Sequence, residues 1–135
     1  MLKEGYEQLH EILIEAYTRA AHGKGNERHA NGEPFTDQWI VQGGLKYGTG
    51  ALFFQLRKKL DEHERLDADA GDNELLDVIN YAAAAVLVRR LQRQQRAAAK
   101  AAAEAGHIDL ALRLQQAAPA AWATQMPGYP SKAKP

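Results

Sequence analysis

Between residues 4 and 21, Tyr6, Leu9, Leu13, Ala16, Tyr17 and Ala20 recur at three- and four-residue steps, with Glu7, Glu11, Glu15 and Arg19 outside that stripe. This spacing predicts an amphipathic helix. It breaks at His22-Gly23-Lys24-Gly25-Asn26, and residues 22–50 are expected to be an irregular, substrate-side loop. Thr36 or Asp37 is placed to cap a short helix through Trp39 and Val41. So long a connection with Phe35, Trp39 and Tyr47 in it points to an ordered functional segment. A second long helix is expected over 50–66, with Leu52, Phe53, Leu56, Leu60 and His63 on one face. An acidic turn follows at 67–73, where Asp72 or Asn73 would cap the next helix. That third helix, 74–105, is apolar nearly all round as far as Val88 and should be central and buried. Beyond Arg89 it turns polar and alanine-rich, as a solvated or partner-facing extension would. Gly106 ends it, and Ile108, Leu110, Leu112 and Leu114 mark a fourth helix over 107–118. The proline- and lysine-rich tail, 127–135, is expected to fray.

Abundant alanine and scarce valine and isoleucine leave little material for strands, so the fold class is all-α. A chain of 135 residues with 45% hydrophobic content supports one core, taken here as a single domain over 1–126. About four helices this short rarely enclose a good bundle alone, so a homodimer or homotetramer is expected to complete it. With 17 basic and 17 acidic residues, the neutral balance argues against nucleic acid as a partner. No apolar run approaches a membrane span, and the first residues lack a signal-peptide core, so a cytoplasmic location is expected. Without cysteine, thiolate metal sites and cysteine nucleophiles are excluded.

The chemistry gathers around the second turn. Asp61, Glu62 and Glu64 lie late in the second helix, and Glu74 and Asp77 lie early in the third. Residues three apart share a helix side, so Asp61 pairs with Glu64 and Glu74 with Asp77. A short antiparallel connection would bring the two pairs together, and four converging carboxylates repel unless protonated or bridged by cations. Oxygen-only ligands suit Mg²⁺ or Mn²⁺, two or more per site. The plainer alternatives are macrodipole stabilisation by Glu74 and surface pairing of the other acids with Arg57, Lys58 and Arg65. Asp77 tips the balance, because it sits among Leu75, Leu76, Val78 and Ile79, where a lone charge is costly.

Asp61-x-x-Glu64 followed by Glu74-x-x-Asp77 and an apolar helix resembles the MazG-like all-α nucleoside triphosphate pyrophosphohydrolases, over about residues 45–90. The resemblance implies a helical bundle formed by dimers or tetramers, carboxylate-bound Mg²⁺ or Mn²⁺, and hydrolysis of a (d)NTP to (d)NMP and pyrophosphate. Many members read Leu-x-Glu-Glu-x-x-Glu on the second helix. In that register this chain has Leu56-Arg57-Lys58-Lys59-Leu60-Asp61-Glu62, so Glu62 would be the ligand. Glu74 and Asp77 hold in either alignment. The metal set is thus Asp61, Glu62, Glu64, Glu74 and Asp77, with Glu62, Glu64, Glu74 or Asp77 taking the water's proton. The loop ahead of the site is similar to that of small phage-encoded members, which would put the protein in a bacterial or phage-infected cytoplasm.

Lys46, Lys58, Lys59 and Arg65, with Arg28 from the loop, are the candidates for holding phosphates. Phe35 and Trp39 are candidates for stacking on a base, with Gln38 reading its edge and Asn80 reaching the sugar. A purine triphosphate such as dGTP is the expected substrate. The competing reading is a non-enzymatic helical interaction or assembly protein that docks a partner on the Arg-, Gln- and Ala-rich part of the third helix.

Overall fold

The computed structural model describes residues 1–23, 32–106 and 108–116. Five α-helices and one 3₁₀ turn account for the order among them, without a strand, as the composition predicts. The helices are α1 (Glu7–His22), α2 (Trp39–Tyr47), α3 (Gly50–His63), α4 (Ala68–Glu104) and α5 (Ile108–Gln116), with the 3₁₀ turn at Phe35–Asp37 ahead of α2. The proline- and lysine-rich tail lies outside the described residues.

The 37 residues of α4 extend for roughly 55 Å, and every other helix packs against it. Val41 from α2, Leu52 from α3, and Ala84, Ala85 and Val88 from α4 form the buried core, with Phe35, Ile40, Leu45, Tyr81, Leu87 and Leu91 around them. Alanine on α4 lets the neighbouring helices come close, and the larger side chains opposite fill the space.

Three sequence expectations change here. First, the short helix expected through Trp39 and Val41 forms but continues to Tyr47, and its N-cap is Gln38 rather than Thr36 or Asp37. Gly43 and Gly44 look like helix breakers, yet both are buried. A Cβ on Gly44 would stand 2.7 Å from Val88 Cγ2 and 3.1 Å from Leu52 Cδ1, so glycine is what lets α2 settle on the core. The intrinsic cost of glycine in a helix, about 1 kcal/mol, is offset by that packing.

Second, α4 begins at Ala68, a turn and a half before the expected cap. Asp67 is the N-cap, and its Oδ1 accepts from the Ala70 amide at 2.9 Å. Gly71 permits the early start, because a Cβ there would meet the His63 carbonyl at 2.8 Å. Substituting Asp67 by alanine should therefore lower stability by about 1 kcal/mol in chemical denaturation, while Asp72→Ala should change it by less than about 0.5 kcal/mol. Equal effects would place the cap elsewhere.

Third, α5 covers one stripe of the alanine-rich end of α4, while Arg93, Arg96, Ala97, Ala98 and Ala101 stay exposed, as a solvated or partner-facing extension would. α5 folds back along that stripe, and Ala99, Ala102 and Ala111 are buried there. Leu110 and Leu112 of the expected fourth helix are about half exposed.

The amphipathic stripe of α1 is only partly covered, because the helix packs chiefly on α4. Ala16 is buried, but Leu9, Leu13 and Tyr17 are 51%, 46% and 62% exposed. Phe53 on α3, expected on the inner face, is likewise exposed. Among the described residues no helix is long and apolar enough to cross a membrane.

Candidate functional site

Helical spacing puts Asn73, Asp77 and Asn80 on one side of α4, with Glu74 beside them. α1 lies against this side, and α3 runs alongside. Each neighbour contributes a cation.

From α1, Arg19 grips Asp77 as a two-toothed fork: Nε donates to Oδ1 at 2.6 Å and Nη2 to Oδ2 at 3.2 Å. Its remaining nitrogen, Nη1, donates to Asn73 Oδ1 at 3.1 Å. From α3, the Lys59 ammonium lies between the acids, 2.6 Å from Glu74 Oε2 and 2.8 Å from Asp77 Oδ2. One turn further along α4, Asn80 Nδ2 donates to the Ala16 carbonyl at 3.0 Å and ties the two helices together.

All four charged groups are mostly shielded from solvent, Lys59 most of all at 17% exposure. Coulombic attraction is stronger in such surroundings than on an open face. Burial on its own would raise the Asp77 pKa, but the hydrogen bonds from Arg19 and Lys59 outweigh it and hold the carboxyl below its ordinary value. Burial likewise works to lower the Lys59 pKa, and bonding to Asp77 and Glu74 overcomes it and raises the group above the ordinary lysine value. Arg19 is raised by its bond to Asp77, against the effect of burial. The ionised forms are thus mutually secured. Two positive and two negative charges leave the cluster neutral.

The four-carboxylate constellation expected from sequence does not assemble. Asp61 pairs along its own helix with Arg57 at 3.0 Å, and Glu62 pairs with Lys58 at 3.6 Å, both in the i,i+4 manner. Glu64 stands exposed just after the last turn of α3. Among the described residues no group of three or more Asp, Glu or His side chains is placed to share an ion. The reason is rotational: on α3 the residue that faces α4 is Lys59, two positions before Asp61, and a two-residue step turns a helix face by about 200°. Glu74 and Asp77 are brought together as expected.

The phosphate candidates divide in the same way. Lys59 enters the cluster, whereas Lys58 is held by Glu62 on the outer face. Arg65 is exposed and donates to the Asp61 carbonyl at 3.2 Å. Lys46 is exposed, with its ammonium over the Tyr47 ring at 5.3 Å. Arg28 lies outside the described residues. Arg19, the strongest partner of Asp77, was assigned to the outer side of α1 from sequence. Its position three residues after the buried Ala16 was the available signal, since that step returns to the packed side.

Two cavities flank the cluster. One, of about 640 Å³, lies between α1, α4 and the segment entering α2, and its walls include Leu13, Tyr17, Phe35, Gln38, Ile79 and Asn80. Three of the four base and sugar candidates, Phe35, Gln38 and Asn80, meet here. Trp39 is not in its wall but packs beneath Gly43 of its own helix. The Gln38 amide turns toward the Glu33 carbonyl at 3.5 Å, so it keeps hydrogen-bonding capacity for a guest. The second cavity, about 680 Å³ and more open, is bordered by Thr18, Arg19, His22, Asn73 and Glu74. Arg19 lines the second cavity, while Asn80, one turn from Asp77, lines the first.

Compared with known proteins, the chain matches no protein-family profile, no curated protein and no solved structure.

Proposed function

We propose that the protein is a metal-dependent nucleoside triphosphate pyrophosphohydrolase, converting a (d)NTP, with a purine such as dGTP preferred, to (d)NMP and pyrophosphate. The observation that carries this reading is the juxtaposition of the Glu74–Asp77 carboxylate pair with an aromatic-walled cavity of nucleoside size, one helical turn away. The Glu-x-x-Asp spacing at these positions is also the part of the MazG-like resemblance that does not depend on register.

The pair fits a single divalent ion. Its oxygen donors already hold a cationic group, the Lys59 ammonium, at contact distance from both carboxylates. Mg²⁺ is commonly bound through one or two carboxylates together with substrate phosphates, so two are sufficient. Mg²⁺ or Mn²⁺ held by Glu74 and Asp77 supplies Lewis acidity and charge neutralisation to the triphosphate.

The remaining roles fall to this chain's own side chains. In the apolar cavity, Phe35 and Tyr17 offer flat surfaces to a base, while Gln38 and Asn80 offer amides to its edge and to the sugar. Arg19 and Lys59 direct positive charge at the phosphates leaving that cavity. A water attacks the α-phosphorus and pyrophosphate departs. Glu74 is assigned the water's proton: Asp77 accepts three hydrogen bonds, whereas Glu74 accepts one from the described residues and lines the open groove.

The uncovered apolar residues of α1 and α3 support a homodimer or homotetramer in which a second copy covers them. A nucleotide substrate is consistent with a cytoplasmic setting. The alternative, a helical docking protein using the Arg-rich part of α4, keeps the exposed Arg89, Arg90, Arg93 and Arg96 as its support.

The deciding experiment is a panel of the eight common NTPs and dNTPs, each with Mg²⁺ and with Mn²⁺, resolved by chromatography with pyrophosphate assayed in parallel. Monophosphate and pyrophosphate in equal amounts from purine substrates are expected. Diphosphate products would discard the reaction, and no turnover with any nucleotide would return the weight to the docking protein.

A further inference from the structure

Arg19 and Lys59 meet the same carboxylate, but they are held differently. The Arg19 guanidinium is fixed at three points, two on Asp77 and one on Asn73, and its planar fork suits that geometry. Lys59 presents a compact charge on a flexible four-carbon stem, and its described partners are the two acids themselves. Its ammonium occupies the position between Glu74 Oε2 and Asp77 Oδ2 that a bridging cation needs. The cluster is neutral with Lys59 in place. Adding a divalent ion while keeping both cations would leave two excess positive charges in a largely shielded site, which is unfavourable.

We infer that Lys59 is the built-in counter-cation of the Glu74–Asp77 pair, and that a divalent ion enters only by displacing its ammonium, which is thereby released to the incoming triphosphate. The inference rests on the proposed reading of Glu74 and Asp77 as the metal-holding pair. Lys59 acts as a positioning residue in this scheme. It bridges the two acids and holds their spacing without metal, and it couples metal entry to nucleotide binding. Metal alone therefore binds weakly, because the ion must expel a well-paired ammonium. Metal with triphosphate binds strongly, because the expelled ammonium gains a phosphate partner.

Mn²⁺ alone is titrated into the full chain and followed by the loss of the free-ion electron paramagnetic resonance signal, for the wild type, Lys59→Met and Lys59→Arg. The methionine variant is expected to bind Mn²⁺ at least about tenfold more tightly than the wild type, since an uncompensated carboxylate pair seeks a cation. The arginine variant should stay within about threefold of the wild type, because it retains the competing charge. Equal or weaker binding by a folded methionine variant overturns the inference while leaving the metal site standing. No Mn²⁺ binding by either protein overturns both the inference and the metal assignment.

A second measurement needs no substitution. In the ¹⁵N-lysine-labelled wild type, the Lys59 ammonium resonance, assigned by its loss in Lys59→Arg, should shift in proportion to Mg²⁺ occupancy. A resonance unmoved at Mg²⁺ saturation would overturn the displacement.

Discussion

Replacing Asp77 by asparagine is expected to lower turnover by about 10²–10³-fold and to destabilise the fold by about 2 kcal/mol. The two effects have one origin. Among the described residues, Asp77 is the only carboxylate bonded to both neighbouring helices, through Arg19 on α1 and Lys59 on α3. Asparagine keeps the shape but not the charge, leaving two shielded cations to share Glu74. Breaking a fully buried pair costs about 3–5 kcal/mol, and the 23% exposure of Asp77 reduces that figure. Urea titration together with the nucleotide assay would check the result. An unaltered midpoint would mean that apolar contacts and the Asn80–Ala16 bond suffice to hold α1, and unaltered turnover would remove Asp77 from the site.

The same pairing sets a pH window for stability. Asp77 is held below its ordinary pKa, so its contribution is present above about pH 4 and is lost as the pH falls through the lowered value. Lys59 is held above its ordinary pKa, so its contribution is present below about pH 10 and is lost as the pH rises through the raised value. The wild type should therefore lose its advantage over Asp77→Asn at both ends of the range and keep it between.

Gly44→Val should be the most damaging single substitution in the core, at about 3 kcal/mol. A Cβ alone would lie 2.7 Å from Val88 Cγ2, and Val88 is fully buried and β-branched, with little rotamer freedom to yield. Overpacking of this kind costs about 1–3 kcal/mol, and valine brings two further methyl groups. Gly50→Val, at the start of α3 where a Cβ meets open space, is the control and should cost less than about 1 kcal/mol. Comparable losses at the two positions would mean that helix propensity, rather than the close approach of α2, governs the cost.

Much of the architecture follows from local preference. Alanine abundance and three- to four-residue apolar spacing are properties of short windows, and they indicate α1, α3 and the centre of α4 without reference to the rest of the chain. Gly106 ends the long helix for a similarly local reason. The continuation of the Trp39 helix to Tyr47 was hidden because Gly43 and Gly44 are unfavourable in a helix considered alone, and what favours them is a neighbour many residues away. The start of α4 was misplaced for a related reason, since Asp67, Asp69 and Asp72 can each cap a helix and Gly71 selects Asp67 through its approach to His63.

The candidate site divides along the same line. Glu74 and Asp77 were identifiable because their spacing and the apolar setting of Asp77 are written in adjacent positions. Their partners were not, because which residue of α3 faces α4 depends on the rotation of one helix about its axis, and a shift of two or three residues exchanges Lys59 for Asp61 or Glu62. Arg19 reaches Asp77 across 58 positions of sequence through the packing of α1 on α4. Helical character and the acidic pair thus belong to the sequence, since both are short-range properties of neighbouring residues. The neutral Arg19–Asp77–Lys59–Glu74 cluster and the cavity joining Phe35, Gln38 and Asn80 belong to the packed molecule, since charge compensation and enclosure exist only once separate helices share a surface.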